Sequence, residues 1–185
     1  VEDKNRSNLF SWRGQFTPQF IDYLLETYAR PGQRLLDPFC GSGTVLQEAA
    51  SHRLAATGLE IHPAAYAMAK FFSLSGLSHG SRRKVVKDAS EVLYSVTSKL
   101  DQGLPLFCNA SDYRENVSNL LVVAKKVLTI AEDKRTKLLL LLSLFRAEGS
   151  RNGNLVATVT RAFQFLSDQL IQLPVTDEAP VAALS

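Results

Sequence analysis

The sequence predicts an α/β fold, with a partial, doubly wound parallel sheet in the first part of the chain and a large helical insertion or subdomain after it. Two observations lead to this prediction. Residues 34–77 alternate two short apolar runs with two helical patterns, and residues 88–173 contain four helical patterns with apolar positions three and four residues apart. We therefore expect a sheet-containing part at 1–80, a helical part at 81–175 and a further strand at 176–185.

The first predicted element is a helix over residues 17–29, and both of its ends are marked in the sequence. Thr17 can accept a hydrogen bond as the N-cap, and Pro18 stands where a missing N–H costs nothing. Apolar side chains recur along one face of the helix, and Pro31 with Gly32 ends the pattern.

Two strand–helix units follow this helix. The first is a strand at 34–37, a glycine-containing turn and a helix at 45–53; the second is a strand at 56–61 and a helix from Pro63 to about Leu77. Strands joined through helices in this way are parallel, and the crossover between them is right-handed.

The second half of the chain is predicted to be mainly helical. Its helical patterns cover Asp88–Leu100, Tyr113–Ala131, Lys134–Ala147 and Asn154–Leu173. The plausible strands in this half are Leu104–Cys108 and Pro180–Leu184.

The composition is that of a soluble globular domain, with 45% apolar residues, 21% charged residues and a formal net charge of +3. Two cysteines, Cys40 and Cys108, are too few for a disulfide framework or a cysteine-rich zinc site, so no metal site is predicted. The longest apolar run, residues 138–145, is shorter than the roughly 20 residues of a membrane helix. Residues 1–8 lack the apolar stretch of a signal peptide, so we expect a cytoplasmic protein without a membrane span.

The positive charges are densest at Arg82, Arg83, Lys84 and Lys87. Such a cluster can neutralise phosphates of a nucleic acid. The alternative is a solvated loop between helices, because a basic cluster alone is not specific. These four residues are therefore candidate nucleic-acid contacts.

The turn after the first strand is the most informative stretch of the chain. Gly41 and Gly43 allow backbone conformations and close approaches that a Cβ would block, and the next helix offers free N–H groups to an anion. Thr44 follows Gly43 where a nucleoside-triphosphate loop has lysine, and Leu46 replaces the third glycine of the dinucleotide fingerprint. A nucleoside-triphosphate site and a dinucleotide site are therefore both disfavoured.

Glu60 supplies a second element of a binding site. It ends the second strand, 19 residues after Gly41, where a carboxylate can accept hydrogen bonds from both hydroxyls of a ribose. The alternative role is that of an acidic residue near the N-terminus of the helix that begins at Pro63. Together with the glycine turn, Glu60 favours a ribose-bearing ligand.

The stretch 36–44, Leu-Asp-Pro-Phe-Cys-Gly-Ser-Gly-Thr, resembles motif I of S-adenosylmethionine-dependent methyltransferases, in the form found in DNA amino-methyltransferases. Residues 59–63, Leu-Glu-Ile-His-Pro, resemble their motif II, which holds the ribose. Residues 10–20 are similar to their motif X, which approaches the methionine end of the cofactor. The order of the motifs also matches, and the resemblance covers about residues 8–77.

The resemblance implies a Rossmann-like methyltransferase core that binds S-adenosylmethionine and methylates an exocyclic amine of a DNA base, adenine N6 or cytosine N4, in a restriction–modification setting. Residues 1–80 would be its cofactor-binding part. Asp37 and the turn would surround the methionine moiety, Glu60 the ribose, the residues after Glu60 the adenine edge, and the residues before the first helix the carboxylate. The implied cofactor-binding residues are Phe16, Thr17, Asp37, Pro38, Phe39, Cys40, Gly41, Ser42, Gly43, Thr44, Glu60, Ile61 and His62.

Cys40 is expected to be a small packing residue and not a nucleophile. No catalytic residue is predicted. The family holds its target amine with a Pro-Pro-aromatic motif, and this sequence contains no Pro-Pro dipeptide. Lys87-Asp88-Ala89 matches the family's motif III only in part. We therefore expect a fragment, or the ordered part, of a larger enzyme, with 176–185 leading into a missing catalytic part.

Two alternatives remain open. Guanine-N2 methyltransferases of RNA carry a very similar Asp-Pro-x-Cys-Gly-x-Gly-Thr motif followed by Glu-Ala-Ala, which is present here as Glu48-Ala49-Ala50. A methyltransferase-like protein that binds a partner without catalysis is the other alternative, and it predicts weak cofactor binding.

Overall fold

The computed structural model describes residues 9–100, 113–148, 155–176 and 180–184. Its helices and strands, in chain order, are α1 (Pro18–Tyr28), β1 (Arg34–Asp37), α2 (Thr44–Ser51), β2 (Ala55–Glu60), α3 (Pro63–Phe71), α4 (His79–Leu100), α5 (Tyr113–Ile130), α6 (Lys134–Glu148), α7 (Leu155–Gln172) and β3 (Val181–Leu184). A 3-10 helix, Phe72–Gly76, follows α3. The strand predicted at Leu104–Cys108 lies outside the described residues.

The chain divides into two compact units. The described residues of Val1–Ser78 and Leu173–Ser185 form the first unit, and those of His79–Gln172 form the second. The first unit contains the sheet and helices α1 to α3, whereas the second contains helices α4 to α7.

Within the described residues, the sheet consists of three parallel strands in the order β1, β2, β3. Helix α2 connects β1 to β2, and α3 packs against β2 and β3. The prediction of an α/β fold is confirmed in this coarse form, as a parallel three-stranded sheet combined with helices. The strand predicted at Pro180–Leu184 is also confirmed, because Val181–Leu184 pairs with β2.

The first unit has an aromatic and aliphatic core between the helices and the sheet. Leu46 of α2 and the consecutive rings of Phe71 and Phe72 are fully buried. The ring of Phe10 meets those of Phe71 and Phe72 edge to face, with centroids 5.7 and 6.3 Å apart. Phe10 therefore anchors the chain before α1 to the core.

The two faces of the sheet differ in exposure. Leu36, Thr57 and Val181 are paired across the three strands and so share one face. The side chains of Leu36 and Val181 are 66% and 55% exposed. On the opposite face, Ala56 and Ala182 are buried.

Two helix boundaries differ from the prediction by more than two residues. Helix α3 ends at Phe71 and gives way to the 3-10 helix, instead of continuing to Leu77. Helix α4 begins at His79, nine residues before Asp88, and its buried stripe already starts in these extra turns, with Arg82 and Val85 ahead of Ala89 and Leu93. The basic cluster therefore lies within a helix and not in a loop.

The helical unit has a conventional apolar core. Val127 of α5, Leu139 and Leu142 of α6, and Leu166 and Leu170 of α7 are fully buried. Among the described residues, no helix combines the length and apolarity needed to cross a membrane.

Candidate functional site

A cleft of about 150 Å³ lies at the carboxyl ends of β1 and β2. In parallel α/β sheets, ligands bind at this end of the strands. Three parts of the chain form the cleft: the segment 9–17 before α1, which we call the N-terminal segment, the glycine turn at 38–43 with the first residues of α2, and the acidic ends of the two strands. Its lining residues are Trp12, Arg13, Gly14, Gln15, Phe16, Asp37, Phe39, Cys40, Gly41, Ser42, Thr44, Val45 and Glu60.

The cleft brings together most of the residues that the sequence suggested. Those that line it are Phe16, Asp37, Phe39, Cys40, Gly41, Ser42, Thr44 and Glu60. Those that do not line it are Thr17, Pro38, Gly43, Ile61 and His62. Thr17 and His62 act instead as N-caps, since the side chain of Thr17 accepts a hydrogen bond from Phe20 N and that of His62 from Ala64 N.

The two glycines of the turn have different neighbours. Both have positive φ, +53° at Gly41 and +93° at Gly43. A Cβ on Gly43 would lie 2.9 Å from the Cα of Ala69, so this glycine lets the turn pack against α3. A Cβ on Gly41 would lie 3.3 Å from Cδ1 of Trp12. At Gly41 the close neighbour is therefore the N-terminal segment.

Gly58 is a third glycine with a close neighbour, and the sequence analysis did not identify it. A Cβ on Gly58 would lie 2.7 Å from Sγ of Cys40. Cys40 is 6% exposed, and its backbone N–H donates to Leu59 O at 3.0 Å. The thiol thus fills the gap between the glycine turn and β2, in agreement with the packing role expected for it.

The side chain of Glu60 connects the turn after β1 with the end of β2 through hydrogen bonds to backbone N–H groups. Its Oε2 accepts from Gly41 N at 2.8 Å, and its Oε1 accepts from His62 N at 2.7 Å. Because an ionised carboxylate has about four acceptor positions, each oxygen keeps capacity for one further donor, such as a hydroxyl group.

Negative charge accumulates at the floor of the cleft. Burial raises the pKa of Asp37, a hydrogen bond from Phe39 N opposes this shift, and the nearby charge of Glu60 adds to it. Burial is the main cause that raises the pKa of Cys40 to about 12, and the charges of Asp37 and Glu60 add to it. The Cys40 thiol is therefore protonated at neutral pH, and two carboxylates face a cleft that suits a positively charged group.

Gln15 attaches the N-terminal segment to the glycine turn. Its Nε2 donates to Phe10 O at 2.8 Å and to Oγ of Ser42, and its Oε1 accepts from Trp12 N at 2.9 Å. The indole of Trp12 lies beside the imidazole of His62, with ring centroids 5.0 Å apart. Sequence reasoning missed Trp12 and Gln15 as site residues, although both lie in the stretch that resembles motif X.

One of the four predicted nucleic-acid contacts, Arg82, is wrong. Arg82 is fully buried in the helical unit, where it donates to Leu170 O at 3.3 Å and burial lowers its pKa. It cannot contact a phosphate in this position. Arg83, Lys84 and Lys87 are exposed.

The two exposed lysines of this cluster have acidic neighbours one helical turn further on. Lys84 pairs with Asp88 at 2.7 Å, and Lys87 lies 3.9 Å from Glu91. These pairs reduce the positive charge that the surface presents.

A second pair of polar side chains joins two helices of the first unit. Nε2 of His52, at the end of α2, lies 2.7 Å from Oδ1 of Asp22 on α1. The sequence offered no partner for this histidine, because the two residues are 30 positions apart. Among the described residues, no three His, Cys, Asp or Glu side chains are grouped closely enough to hold a metal ion.

Comparison with known proteins gives one family match and two relatives. Residues 1–71 match the family model described as DNA methylase. The type II methyltransferase M.MjaII of Methanocaldococcus jannaschii is 32% identical over 60 residues, which are 32% of this chain and 11% of that protein. The tRNA (guanine(6)-N2)-methyltransferase of Thermus thermophilus is 58% identical over 40 residues, which are 21% of this chain and 12% of that protein. No solved structure matches the chain.

The resemblance to DNA amino-methyltransferases that the motifs predicted is confirmed over residues 1–71. Both relatives are methyltransferases by name, and the matched stretches cover only 11% and 12% of their lengths.

Proposed function

From the match of residues 1–71 to the DNA methylase family, we propose that this chain is the cofactor-binding part of an S-adenosylmethionine-dependent methyltransferase acting on an exocyclic amine of a DNA base, adenine N6 or cytosine N4. The observation that carries the proposal is the position of Glu60. Its carboxylate stands at the end of a strand next to the glycine turn, and both of its oxygens keep acceptor capacity.

The residues of the cleft fit this cofactor in charge and in hydrogen bonding. The two ribose hydroxyls are donors that Glu60 can accept. The sulfonium and the ammonium group are cations, and the carboxylates of Asp37 and Glu60 provide negative charge at the floor. Ligand pockets usually measure about 300–1,000 Å³, so a cleft of about 150 Å³ encloses only part of the cofactor.

When bound, S-adenosylmethionine supplies a methyl group on a positively charged sulfur. The contribution of this chain is to bind and orient the cofactor. Glu60 would hold the ribose and Asp37 would place negative charge near the cationic end, while the N-terminal segment contacts the glycine turn through Trp12 and Gln15.

We further propose that residues outside this sequence complete the enzyme. The motif that holds the target amine in this family has no counterpart in these 185 residues. This supports a catalytic part supplied by further sequence.

DNA is the proposed partner, in the cytoplasm and in a restriction–modification setting. The support comes from the description of the family and from the name of the type II relative. Arg83, Lys84 and Lys87 are the proposed phosphate contacts, since they are exposed on α4.

A second candidate is methylation of guanine N2 in RNA. It is favoured by the 58% identity over 40 residues to a tRNA methyltransferase. Transfer of labelled methyl groups to a duplex DNA or to a tRNA, assayed on the complete enzyme, distinguishes the two candidates.

Calorimetric titration of this chain with S-adenosylmethionine tests the proposal. Glu60→Gln removes one carboxylate oxygen as an acceptor, so we expect the Kd to rise about tenfold or more. Glu26→Gln, at an exposed position of α1, is the matched control and should leave the Kd unchanged. A folded wild-type chain that gives no binding heat would contradict the proposal.

A second pair of variants separates site effects from backbone strain. Gly41→Val places a branched side chain at positive φ and against Trp12. Gly32→Val meets the same strain at φ +83°, but no other atom lies within 4 Å of its Cβ position. We expect the Kd to rise in Gly41→Val only, and equal effects would argue against a ligand at the glycine turn.

A further inference from the structure

The N-terminal segment contacts the glycine turn at two neighbouring residues. Trp12 lies against Gly41 and beside His62, and the N–H of Gly41 is bonded to Glu60. Gln15 is bonded to the next residue of the turn, Ser42. Trp12 therefore stands at the residue of the turn that Glu60 binds.

The position of Glu60 fixes which part of the cofactor faces Trp12. If Glu60 accepts the ribose hydroxyls, the base attached to that ribose lies within a few ångströms of them. Trp12 lines the cleft together with Glu60 and is only partly buried, and the imidazole of His62 lies beside it, outside the cleft lining. Aromatic side chains bind the flat face of a base by stacking.

Resting on the proposed function, we infer that Trp12 is a binding residue for the nucleoside end of the cofactor, where its indole forms one wall of the adenine subsite. This differs from the resemblance to motif X, which implies that residues 10–20 approach the methionine end. In this structure Gln15 is bonded to Ser42, whereas Trp12 lies against Gly41 and beside His62.

Gln15 is the positioning residue for this wall. Its amide joins the backbone of Trp12, the carbonyl of Phe10 and the hydroxyl of Ser42. The carbonyl of Phe10 is itself fixed, because the Phe10 ring is anchored against Phe71 and Phe72. The indole is thereby held over Gly41 before any ligand binds, which lowers the entropic cost of forming the wall.

Trp12 is the single tryptophan of the chain, so its fluorescence reports on this position alone. The chain is titrated with S-adenosylmethionine, adenosine and methionine, while calorimetry in parallel establishes when each ligand is bound. We expect S-adenosylmethionine and adenosine to change the Trp12 emission and methionine to leave it unchanged. Adenosine that binds without changing the emission, or methionine that reproduces the change, would overturn the inference.

Substitutions provide an independent test. Trp12→Ala should raise the Kd for S-adenosylmethionine by about tenfold or more, as expected for loss of a base-stacking ring, and Trp12→Phe should restore most of the affinity. Gln15→Leu should weaken binding and also increase quenching of Trp12 by acrylamide in the free protein. An unchanged Kd in Trp12→Ala would overturn the inference and leave the proposed function intact. If the wild-type chain binds no S-adenosylmethionine, the proposed function itself fails.

Discussion

The backbone N–H of Gly41 donates a 2.8 Å hydrogen bond to Oε2 of Glu60, across 19 residues of sequence. This bond ties the turn after β1 to the end of β2. The other oxygen of Glu60 accepts from His62 N. The carboxylate therefore holds the turn in place before any ligand is bound, and any change at position 60 should alter the turn as well as the proposed binding of a ribose.

We expect Glu60→Gln to loosen the glycine turn. The amide offers one acceptor oxygen, so one of the two N–H groups, of Gly41 or His62, loses its acceptor. Hydrogen exchange measured by NMR should accelerate at that amide by about tenfold, as expected for one lost hydrogen bond to a charged group. Glu26→Gln should leave both amides unaffected, and equal exchange in all three proteins would contradict the role of Glu60 in the turn.

Asp37→Asn should stabilise the chain while weakening cofactor binding. Because burial and Glu60 raise the pKa of Asp37, the folded state resists ionising this carboxyl, and the wild type loses stability as the pH rises from about 3.8 to the folded-state pKa. We therefore expect Asp37→Asn to have a higher Tm than the wild type at pH 7, with no difference below about pH 3.5. Thermal denaturation across this range measures the effect.

The same variant should bind S-adenosylmethionine several-fold more weakly at pH 7, since one negative charge is removed from the floor of the cleft. A lower Tm at pH 7, with unchanged affinity, would show that Asp37 serves the fold and not the ligand.

Gly43→Ala should destabilise the first unit strongly. The new Cβ would lie 2.9 Å from the Cα of Ala69 and adopt φ +93°, which combines left-handed strain with overpacking and costs about 3 kcal/mol in the free energy of unfolding. Gly32→Ala has a similar φ of +83° and no atom within 4 Å, so it should cost only about 1 kcal/mol. Urea denaturation of both variants gives the comparison, and equal losses would rule out the contact with Ala69.

Cys40 should resist alkylation in the folded chain. Because burial raises the pKa of Cys40 to about 12 and the side chain is 6% exposed, very little thiolate is available at pH 8, whereas roughly one in four ordinary cysteines is ionised at that pH. Peptide mapping after iodoacetamide treatment should find Cys40 unmodified in the folded chain and modified in guanidinium chloride. Rapid labelling of the folded chain would mean that the turn opens readily.

The basic residues of α4 can be tested through the salt dependence of DNA binding. If Arg83 and Lys87 contact phosphates, replacing both with alanine should weaken binding to any DNA sequence and reduce the slope of log K against log salt by about 2. Lys125 and Lys126 of α5 are equally exposed, and their double alanine variant removes the same charge. Equal slopes in the two double variants would assign the effect to net charge.

The local elements, and a binding role for the glycine turn, could be predicted from the amino-acid sequence. Thr17 and Pro18 mark the start of α1. The periodicity of the apolar residues distinguishes the strands β1 and β2 from the helix α2. The glycine turn followed by Glu60 indicates a ribose-bearing ligand. These features are readable because each depends on residues near in sequence or on a motif with fixed spacing. Helix boundaries were less accurate, as the early start of α4 at His79 shows.

Which side chains come together in the cleft could not be predicted from the sequence. The contacts of Gln15 with Ser42, Trp12 with His62 and Gly58 with Cys40 join residues from separate elements, and no local pattern encodes them. Burial likewise makes Arg82 unavailable to a phosphate, although nothing in the sequence distinguishes it from the other cations of the cluster. The physical reason is that periodicity and capping act over a few residues, whereas burial and side-chain pairing depend on how distant segments pack together.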